Sequence, residues 1–383
     1  MSTYSEPLRN DSLGLYVHVP LCDGKCRYCG FYSEPVANHD PDRLVSALIL
    51  ELDRYKGVAP VQTLYIGGGS PTSLPVGLLA ELVDAVASRW PEAREFTVEC
   101  NPGQTDASTL SILRRCGVSR LSFGVQSFDP LELSFLGRRH GVDDAVGSIR
   151  QARDLGFDNI GLDLIFAIPG STLASWQRSL QLAVSLEVQH VSAYSLSIEQ
   201  GTALHAAMLA GELERVDEDL DRAMYDLAID YLASAGFAQY EISNFARDGF
   251  ACLHNQGYWE NRPYIGIGPS AGSYWQDRRT VNVADIRDYV GRIEAGQSVF
   301  EPSESLDRDE RICETAVLNL RTRKGVDLAA FRAATGADFT EVFKSPLERH
   351  RREGRIEVDG AKVRLAREAL AIADSVLCDF SSF

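Results

Sequence analysis

The stretch YVHVPLCDGKCRYCGF, residues 16–31, sets the interpretation of the whole chain. Its first residues continue the apolar run 13–19, which predicts a strand, and that strand leads into a loop that carries Cys22, Cys26 and Cys29. Three thiolates at the spacing CxxxCxxC can bind three irons of a [4Fe–4S] cube. The fourth iron then has no protein ligand, and an open metal position can accept a cofactor. The loop therefore predicts an iron–sulfur cluster with one accessible iron.

Two other interpretations of these cysteines stay open on their spacing alone. The same thiolates could bind zinc with His18 as the fourth ligand, or the thiols could be buried without any metal. A disulfide framework is not expected, because the residues MSTYSEPLRNDS contain no apolar segment typical of a secretory signal. No apolar run approaches the ~20 residues that span a bilayer. We expect a cytoplasmic protein without a membrane-spanning segment.

The composition limits the class of partner. Of the 383 residues 45% are hydrophobic, which is enough for a large core, and the formal net charge is −16. A surface this acidic repels phosphate backbones, so nucleic-acid binding is not expected.

Short apolar runs alternate with helical patterns over the N-terminal part of the chain. The apolar runs that predict strands are 13–19, 63–66, 96–100, 121–125, 160–166 and 191–197. The helical patterns between and after them are 42–55, 78–90, 110–115, 145–155, 176–186 and 217–233. Such alternation predicts βα units around a parallel sheet. Because six strands are fewer than the eight of a complete TIM barrel, we expect an α/β fold with a partial (βα)6 barrel.

The character of the sequence changes after residue 246. We predict a barrel over residues 1–245, a segment rich in glycine and aromatic residues over 246–300 that completes the site, and a smaller, mainly helical accessory domain over 301–383. Within the last part, helices are expected at 307–320, 328–334 and 339–353. A hairpin over 356–365 is expected to turn at Asp359-Gly360.

The segment around the cysteines resembles the signature of the radical S-adenosylmethionine (SAM) proteins related to coproporphyrinogen dehydrogenase, and within them the HemW-type heme chaperones. The resemblance extends over nearly the whole chain. It implies that Cys22, Cys26 and Cys29 bind the cluster, that Tyr16 contacts SAM and that Tyr28 lies near its adenine.

A glycine-rich segment, LYIGGGSP at residues 64–71, ends the second predicted strand. Glycine lets the backbone approach a ligand closely. The segment is similar to the GGGTP segment of the family, with serine in place of threonine. This similarity implies SAM contacts for Gly68, Gly69 and Ser70.

Polar side chains interrupt or follow the later apolar runs at Glu99, Gln126, Arg138 and Asp163. An isolated buried carboxylate is costly, and a salt bridge between strands explains Glu99 and Asp163 as well as a bound ligand does. The segments VECNPG, SFGVQSF, LGRRH and LDLIFAIPG are similar to family segments whose Glu, Gln, Arg and Asp contact SAM. The resemblance implies the same role for these four residues.

The segment HNQGYW, residues 254–259, is similar to the HNxxYW segment that is associated with heme binding in HemW-type proteins. A neutral imidazole at His254 can ligate heme iron, and Tyr258 and Trp259 can pack against a flat macrocycle. Considered without the family, a histidine beside aromatic residues is more often a hydrogen-bonded packing residue than an iron ligand, and this explanation of His254 stays open. Gly272 stands where the family commonly has a histidine, which implies one contact fewer to heme.

The resemblance implies a heme chaperone that binds a [4Fe–4S] cluster, SAM and heme or a porphyrin, takes electrons from a donor and passes heme to an acceptor protein. The oxidases of the group carry a fourth cysteine two residues after the third, and Phe31 occupies that position here. The alternative is a radical SAM enzyme, either an oxygen-independent coproporphyrinogen III oxidase or a related methyltransferase. No catalytic side chain is assigned.

Overall fold

The computed structural model of the chain describes residues 13–58, 60–301 and 304–382. Its strands, in chain order, are β1 (Leu13–Val19), β2 (Leu21–Cys22), β3 (Glu34–Pro35), β4 (Val61–Gly68), β5 (Glu95–Cys100), β6 (Arg120–Gln126), β7 (Ile160–Phe166), β8 (His190–Ser195), β9 (Ala238–Gln239), β10 (Asn244–Ala246), β11 (Tyr264–Ile267), β12 (Gly272–Trp275), β13 (Arg278–Val281), β14 (Glu304–Ser305), β15 (Val326–Asp327), β16 (Ile356–Asp359) and β17 (Lys362–Leu365).

The helices, in chain order, are α1 (Pro41–Asp53), α2 (Val76–Arg89), α3 (Ala107–Arg115), α4 (Pro130–Leu136), α5 (Val142–Asp154), α6 (Leu173–Ser185), α7 (Ala203–Leu209), α8 (Glu218–Ser234), α9 (Leu253–Trp259), α10 (Ile286–Glu294), α11 (Arg308–Leu320), α12 (Leu328–Thr335), α13 (Phe339–Val342), α14 (Lys344–Arg352) and α15 (Ala373–Leu377). None of the described helices is long and apolar enough to cross a membrane.

The main sheet has the strand order β14-β13-β12-β11-β1-β4-β5-β6-β7-β8-β10-β9. Its central strands, from β11 through β1 to β8, pair in parallel, and antiparallel strands extend the sheet at both ends. The six predicted strands and the partial barrel are confirmed. The sequence did not reveal β11 as a further parallel strand, because it is only four residues long and a glycine interrupts its apolar pattern.

Alternating side chains of the barrel strands face helices or the barrel interior. On β1, Leu15 and Val17 are fully buried on the helix side. The register places Tyr16 beside Tyr65 and Tyr65 beside Thr97, so that polar side chains of neighbouring strands share the interior. An interior of this kind can stay hydrated or bind a polar ligand, whereas the outer face supplies the hydrophobic core.

The segment after residue 246 is fixed to the barrel by a buried carboxylate. Glu51 of α1 is 1% exposed and accepts hydrogen bonds from the Gly268 backbone N–H at 2.8 Å, from Asn282 Nδ2 at 3.0 Å and from the Tyr289 hydroxyl at 2.6 Å. Three donors offset the cost of burying the carboxyl. This contact holds the chain next to β11 and α10 against the first barrel helix.

The C-terminal part contains the expected hairpin, formed by β16 and β17, with β15 alongside. The expected helix over 339–353 is wrong as one element, because it is broken at Phe343 into α13 and α14. Pro346 lies in the first turn of α14 and its ring would clash with the carbonyl of Val342 in a continuous helix. The domain boundary near residue 300 stays a prediction.

Candidate functional site

The carboxyl ends of the parallel strands surround a cavity of about 1020 Å³. This is the edge at which parallel α/β sheets generally bind ligands. The predicted site residues that line it are Cys22, Cys26, Tyr28, Cys29, Gly68, Gly69, Ser70, Glu99, Gln126, Arg138 and Asp163. Residues separated by up to 141 positions in the chain are thus brought to one space. Tyr16 and His254 are not among the lining residues.

The cysteine loop is held by backbone hydrogen bonds on both sides. The Ser70 N–H donates to the Leu21 carbonyl at 2.8 Å, just before Cys22. Further along the loop, the Arg27 N–H donates to the Leu136 carbonyl at 3.0 Å, and the Arg27 carbonyl accepts from the Leu204 N–H at 3.0 Å. The loop is therefore fastened to the end of β4, to α4 and to α7, which fixes where its thiols lie.

Gly69 permits the closest of these contacts. A Cβ at this position would lie 2.6 Å from the Leu21 carbonyl oxygen and 3.0 Å from Cys22 Sγ. The shorter distance leaves no room for a side chain, because the Leu21 carbonyl oxygen belongs to the backbone and cannot turn aside. Gly68 has φ +113°, and a Cβ there would lie 2.7 Å from the His18 ring. The two glycines thus allow β4 to end directly against the cysteine loop.

His18 braces this contact and is not placed as a metal ligand. Its Nδ1 accepts from the Tyr16 hydroxyl at 2.9 Å and its Nε2 donates to the Tyr32 carbonyl at 3.0 Å. Burial lowers the pKa of His18, which favours the neutral ring that this pattern requires. Both ring nitrogens are thus engaged, and His18 would have to give up one of these partners to become the fourth ligand of a zinc ion.

Arg138 supplies positive charge beside the thiols. Its guanidinium donates to Asn101 Oδ1 at 2.7 Å, to the Gly124 carbonyl at 2.6 Å and to Cys26 Sγ at 3.5 Å. Its buried Nε has no hydrogen-bond partner. Burial raises the pKa of the Cys22 and Cys29 thiols, so their thiolate forms need compensating charge. Three thiols on one loop, an arginine beside them and an open cavity fit a [4Fe–4S] cluster.

Two half-buried carboxyls face the same cavity. Glu99 accepts from the Tyr65 hydroxyl at 2.8 Å and from the Gly68 N–H at 3.1 Å, and burial raises the pKa of Glu99 to about 7. Burial also raises the pKa of Asp163, against the effect of its hydrogen bond with Ser192. Among the described residues neither carboxyl has a cationic partner within ion-pair distance, although the charge of Arg120 acts on both. Two acidic groups in a cavity fit a cationic ligand such as SAM.

Three of the other predicted residues contribute shape and hydrogen bonds. Gln126 is the last residue of β6 and has φ +70°, which is uncommon for a residue other than glycine. This backbone conformation turns the chain away from the strand direction at the edge of the cavity. Tyr28 packs against the small apolar cluster that contains Leu136 and Ile165. The Ser70 hydroxyl donates to Gln104 Oε1 at 3.1 Å.

Tyr16 lies behind the cavity lining. Its hydroxyl is bonded to His18, and its ring centroid is 6.0 Å from that of Tyr65. Its predicted contact with SAM stays a prediction.

His254 lies in α9, apart from the thiols and carboxyls. It is 3% exposed, its Nδ1 is 2.9 Å from Thr63 Oγ1 and its Nε2 is 2.9 Å from the Tyr258 hydroxyl. Burial lowers the pKa of His254 to about 3, so the ring is neutral. Both ring nitrogens are engaged in this structure, and an iron would have to displace one of these partners.

Several cavity residues were missed in the sequence, among them two with a polar side chain on the barrel floor or on α9. Arg120 begins β6, and Asn255 follows His254 in α9; both line the cavity. The signal for Arg120 was available, because residues 120, 122, 124 and 126 share one face of a strand that ends in the predicted ligand residue Gln126. Asn255 had no comparable signal, since the short helix α9 has no clear period.

The raised pKa of Glu99 predicts that SAM affinity increases with pH. The sulfonium of SAM favours the ionised carboxylate, and below about pH 7 that carboxyl must first lose a proton. We expect the affinity of the reconstituted protein for SAM to rise about tenfold between pH 6 and pH 8. Anaerobic titration calorimetry at several pH values measures this rise.

In the Glu99→Gln variant the affinity for SAM should no longer rise about tenfold between pH 6 and pH 8, because the carboxyl that titrates is gone. Glu132→Gln should keep the rise, because Glu132 is also a buried carboxyl with a raised pKa but does not line the cavity. Identical pH profiles for the wild type and Glu99→Gln would contradict the assignment of Glu99 to the SAM site.

Two family models match separate parts of the chain. The model of the Radical SAM superfamily matches residues 16–183, which include the end of β1, the cysteine loop and the strands β2 to β7. The model of the HemN C-terminal domain matches residues 306–372.

Two relatives match nearly the whole chain. A protein named Heme chaperone HemW from Bacillus subtilis strain 168 is 34% identical over 371 residues, which cover 95% of this chain and 98% of the relative. A protein of the same name from Mycobacterium tuberculosis strain H37Rv is 35% identical over 385 residues, which cover 97% of this chain and 95% of the relative. A solved structure of coproporphyrinogen III oxidase (HemN) from Escherichia coli, described as a radical SAM enzyme, superposes with a TM-score of 0.83 at 20% identity. It covers 99% of this chain and 91% of that one, and at this identity it shows a shared fold.

Proposed function

The chain belongs to the HemW family of radical SAM proteins, and from this we propose that it is a heme chaperone that binds a [4Fe–4S] cluster, SAM and heme and delivers the heme to an acceptor protein. The observation that carries the proposal is the similarity to proteins named heme chaperones over almost the full length of both chains. The cavity supports it, because the thiols, the arginine and the two carboxyls occupy one space.

In this proposal Cys22, Cys26 and Cys29 hold the cluster, which would supply an electron from an external donor to bound SAM. Arg138 offsets the negative charge of the thiolates through its contact with Cys26. The remaining residues assigned to SAM are Tyr16, Tyr28, Gly68, Gly69, Ser70, Glu99, Gln126 and Asp163. The two acidic members of this set face the cationic part of SAM, and the glycines keep the neighbouring backbone accessible.

Phe31 supports the chaperone over the oxidase. Its side chain is 71% exposed and lines the cavity, at the position where oxidases of the group carry a further cysteine. A phenyl ring cannot replace a thiol in proton or electron transfer. Its apolar surface next to the opening can instead contact a flat, hydrophobic ligand such as a porphyrin.

An enzyme is the second candidate, and the size and lining of the cavity favour it. About 1020 Å³ is at the upper end of the usual range for ligand sites and accommodates a substrate beside SAM. The residues assigned to radical generation are all present. Oxidative decarboxylation of coproporphyrinogen III is therefore the activity to test against the chaperone function.

The test uses the anaerobically reconstituted, reduced protein. We expect it to bind heme, seen as a shifted Soret band, and to transfer the heme to an apo-hemoprotein, while SAM with coproporphyrinogen III yields no protoporphyrinogen by mass spectrometry. The Phe31→Cys variant serves as a comparison, since it restores the thiol of the oxidases. Formation of protoporphyrinogen and 5′-deoxyadenosine by the wild type would overturn the chaperone proposal in favour of the oxidase.

Heme ligation by His254 has a separate test. If His254 Nε2 ligates iron, the His254→Ala variant should bind heme at least about tenfold more weakly. Tyr258→Phe removes the hydroxyl that engages Nε2 but keeps the ring packing, so it should bind heme at least as tightly as the wild type. Equal affinities and Soret spectra for all three proteins would exclude His254 as a ligand. Thermal unfolding of the two variants separates loss of heme affinity from loss of the fold.

A further inference from the structure

An arginine faces the floor of the cavity with no hydrogen-bond acceptor for its buried Nε among the described residues. Arg120, the first residue of β6, is 1% exposed and is among the largest fully buried side chains of the protein. It nevertheless lines the cavity. An arginine side chain stays protonated in proteins, so this residue places a permanent positive charge at the cavity wall.

The carboxyls of Glu95, Glu99 and Asp163 act on this charge electrostatically, but none of them lies within ion-pair distance of the guanidinium. In the described part of the chain the guanidinium forms no ion pair, and its buried Nε has no hydrogen-bond partner. Glu95 is close enough to act on it electrostatically, but the Glu95 carboxylate accepts the Leu253 N–H at 2.9 Å and the His254 N–H at 3.0 Å. The Glu95 carboxylate therefore accepts hydrogen bonds from the first backbone N–H groups of α9. A buried cation without hydrogen bonds is costly, which points to an anionic ligand.

The neighbouring strand leaves space for this guanidinium. A Cβ at Gly161 of β7 would lie 2.8 Å from Arg120 Nη2, so any side chain there would displace the arginine. Ser122 and Asn255 also line the cavity, and both can donate hydrogen bonds to an oxygen atom. The arginine is thus accommodated beside neutral donors, as a carboxylate-binding group requires.

We propose that Arg120, assisted by Asn255, binds a carboxylate of the cavity's ligand. Glu99 and Asp163 line the same cavity and repel a second carboxylate unless a cation lies between them, which the sulfonium of SAM provides. The carboxylate is a propionate of the tetrapyrrole or the carboxylate of SAM itself. The first assignment rests on the proposed heme-binding function, and the second does not.

The test combines a change in the protein with a change in the ligand. The reconstituted wild type, Arg120→Gln and Arg120→Lys are titrated with heme, heme dimethyl ester, SAM and decarboxylated SAM. Arg120→Lys keeps the charge in case Arg120→Gln does not fold. Arg89→Gln is the matched control, because Arg89 is a half-buried arginine paired with Asp53 on the outside of the barrel.

We expect Arg120→Gln to weaken heme binding about tenfold or more and to leave the dimethyl ester within about twofold of the wild type. The heme affinity of Arg120→Lys should lie between that of the wild type and that of Arg120→Gln. The heme affinity of Arg89→Gln should match that of the wild type. A similar loss for heme and its ester would show a structural role and overturn the proposal.

The titrations with SAM and decarboxylated SAM test Arg120 independently of the heme chaperone proposal. If the wild type binds no heme, the heme chaperone proposal fails, and the preference for SAM over decarboxylated SAM then decides the role of Arg120. A preference that disappears in Arg120→Gln but not in Arg89→Gln would assign the SAM carboxylate to Arg120. If neither ligand pair responds to the substitution, Arg120 binds no carboxylate.

Discussion

The site depends on the close contact between the end of β4 and the cysteine loop. At Gly69 the backbone approaches the Leu21 carbonyl and Cys22 Sγ so closely that no Cβ fits. The Ser70 N–H donates to the same carbonyl, and His18 lies beneath Gly68 with both of its nitrogens engaged. Because the loop is fixed here, its thiols open into the same space as the ends of the following strands. A shift of β4 by one residue would direct Glu99 and the thiols to different surroundings.

The barrel interior carries ionisable side chains of both signs. Glu99, Asp163 and Arg120 all face one cavity, and among the described residues they form no ion pairs with one another. Burial raises the pKa of both acids, which shows that the protein alone does not fully stabilise their ionised forms. Charges retained at this cost are typical of binding sites. A ligand with both cationic and anionic groups would satisfy the acids and the arginine together.

Strongly patterned elements could be predicted from the sequence, and short ones without a clear pattern could not. The bounds predicted for β1 and β7 agree with the structure, because each is a mainly apolar run between clear breaks. The strand β11 and the helix α9 were missed since each takes its structure from packing against the barrel rather than from a long period. For the site, strand-end position and family resemblance brought together the residues that line the cavity. They could not show that both nitrogens of His254 are engaged, because that depends on Thr63, distant in sequence.

The most direct measurement is the electron paramagnetic resonance spectrum of the reconstituted, reduced protein before and after SAM is added. We predict a [4Fe–4S]⁺ signal in the wild type that changes when SAM binds, and no such signal after Cys22, Cys26 and Cys29 are replaced by alanine. A spectrum that SAM leaves unchanged in the wild type, or a cluster signal that persists in the triple variant, would contradict the claim that these thiols and the polar strand ends form one cofactor site.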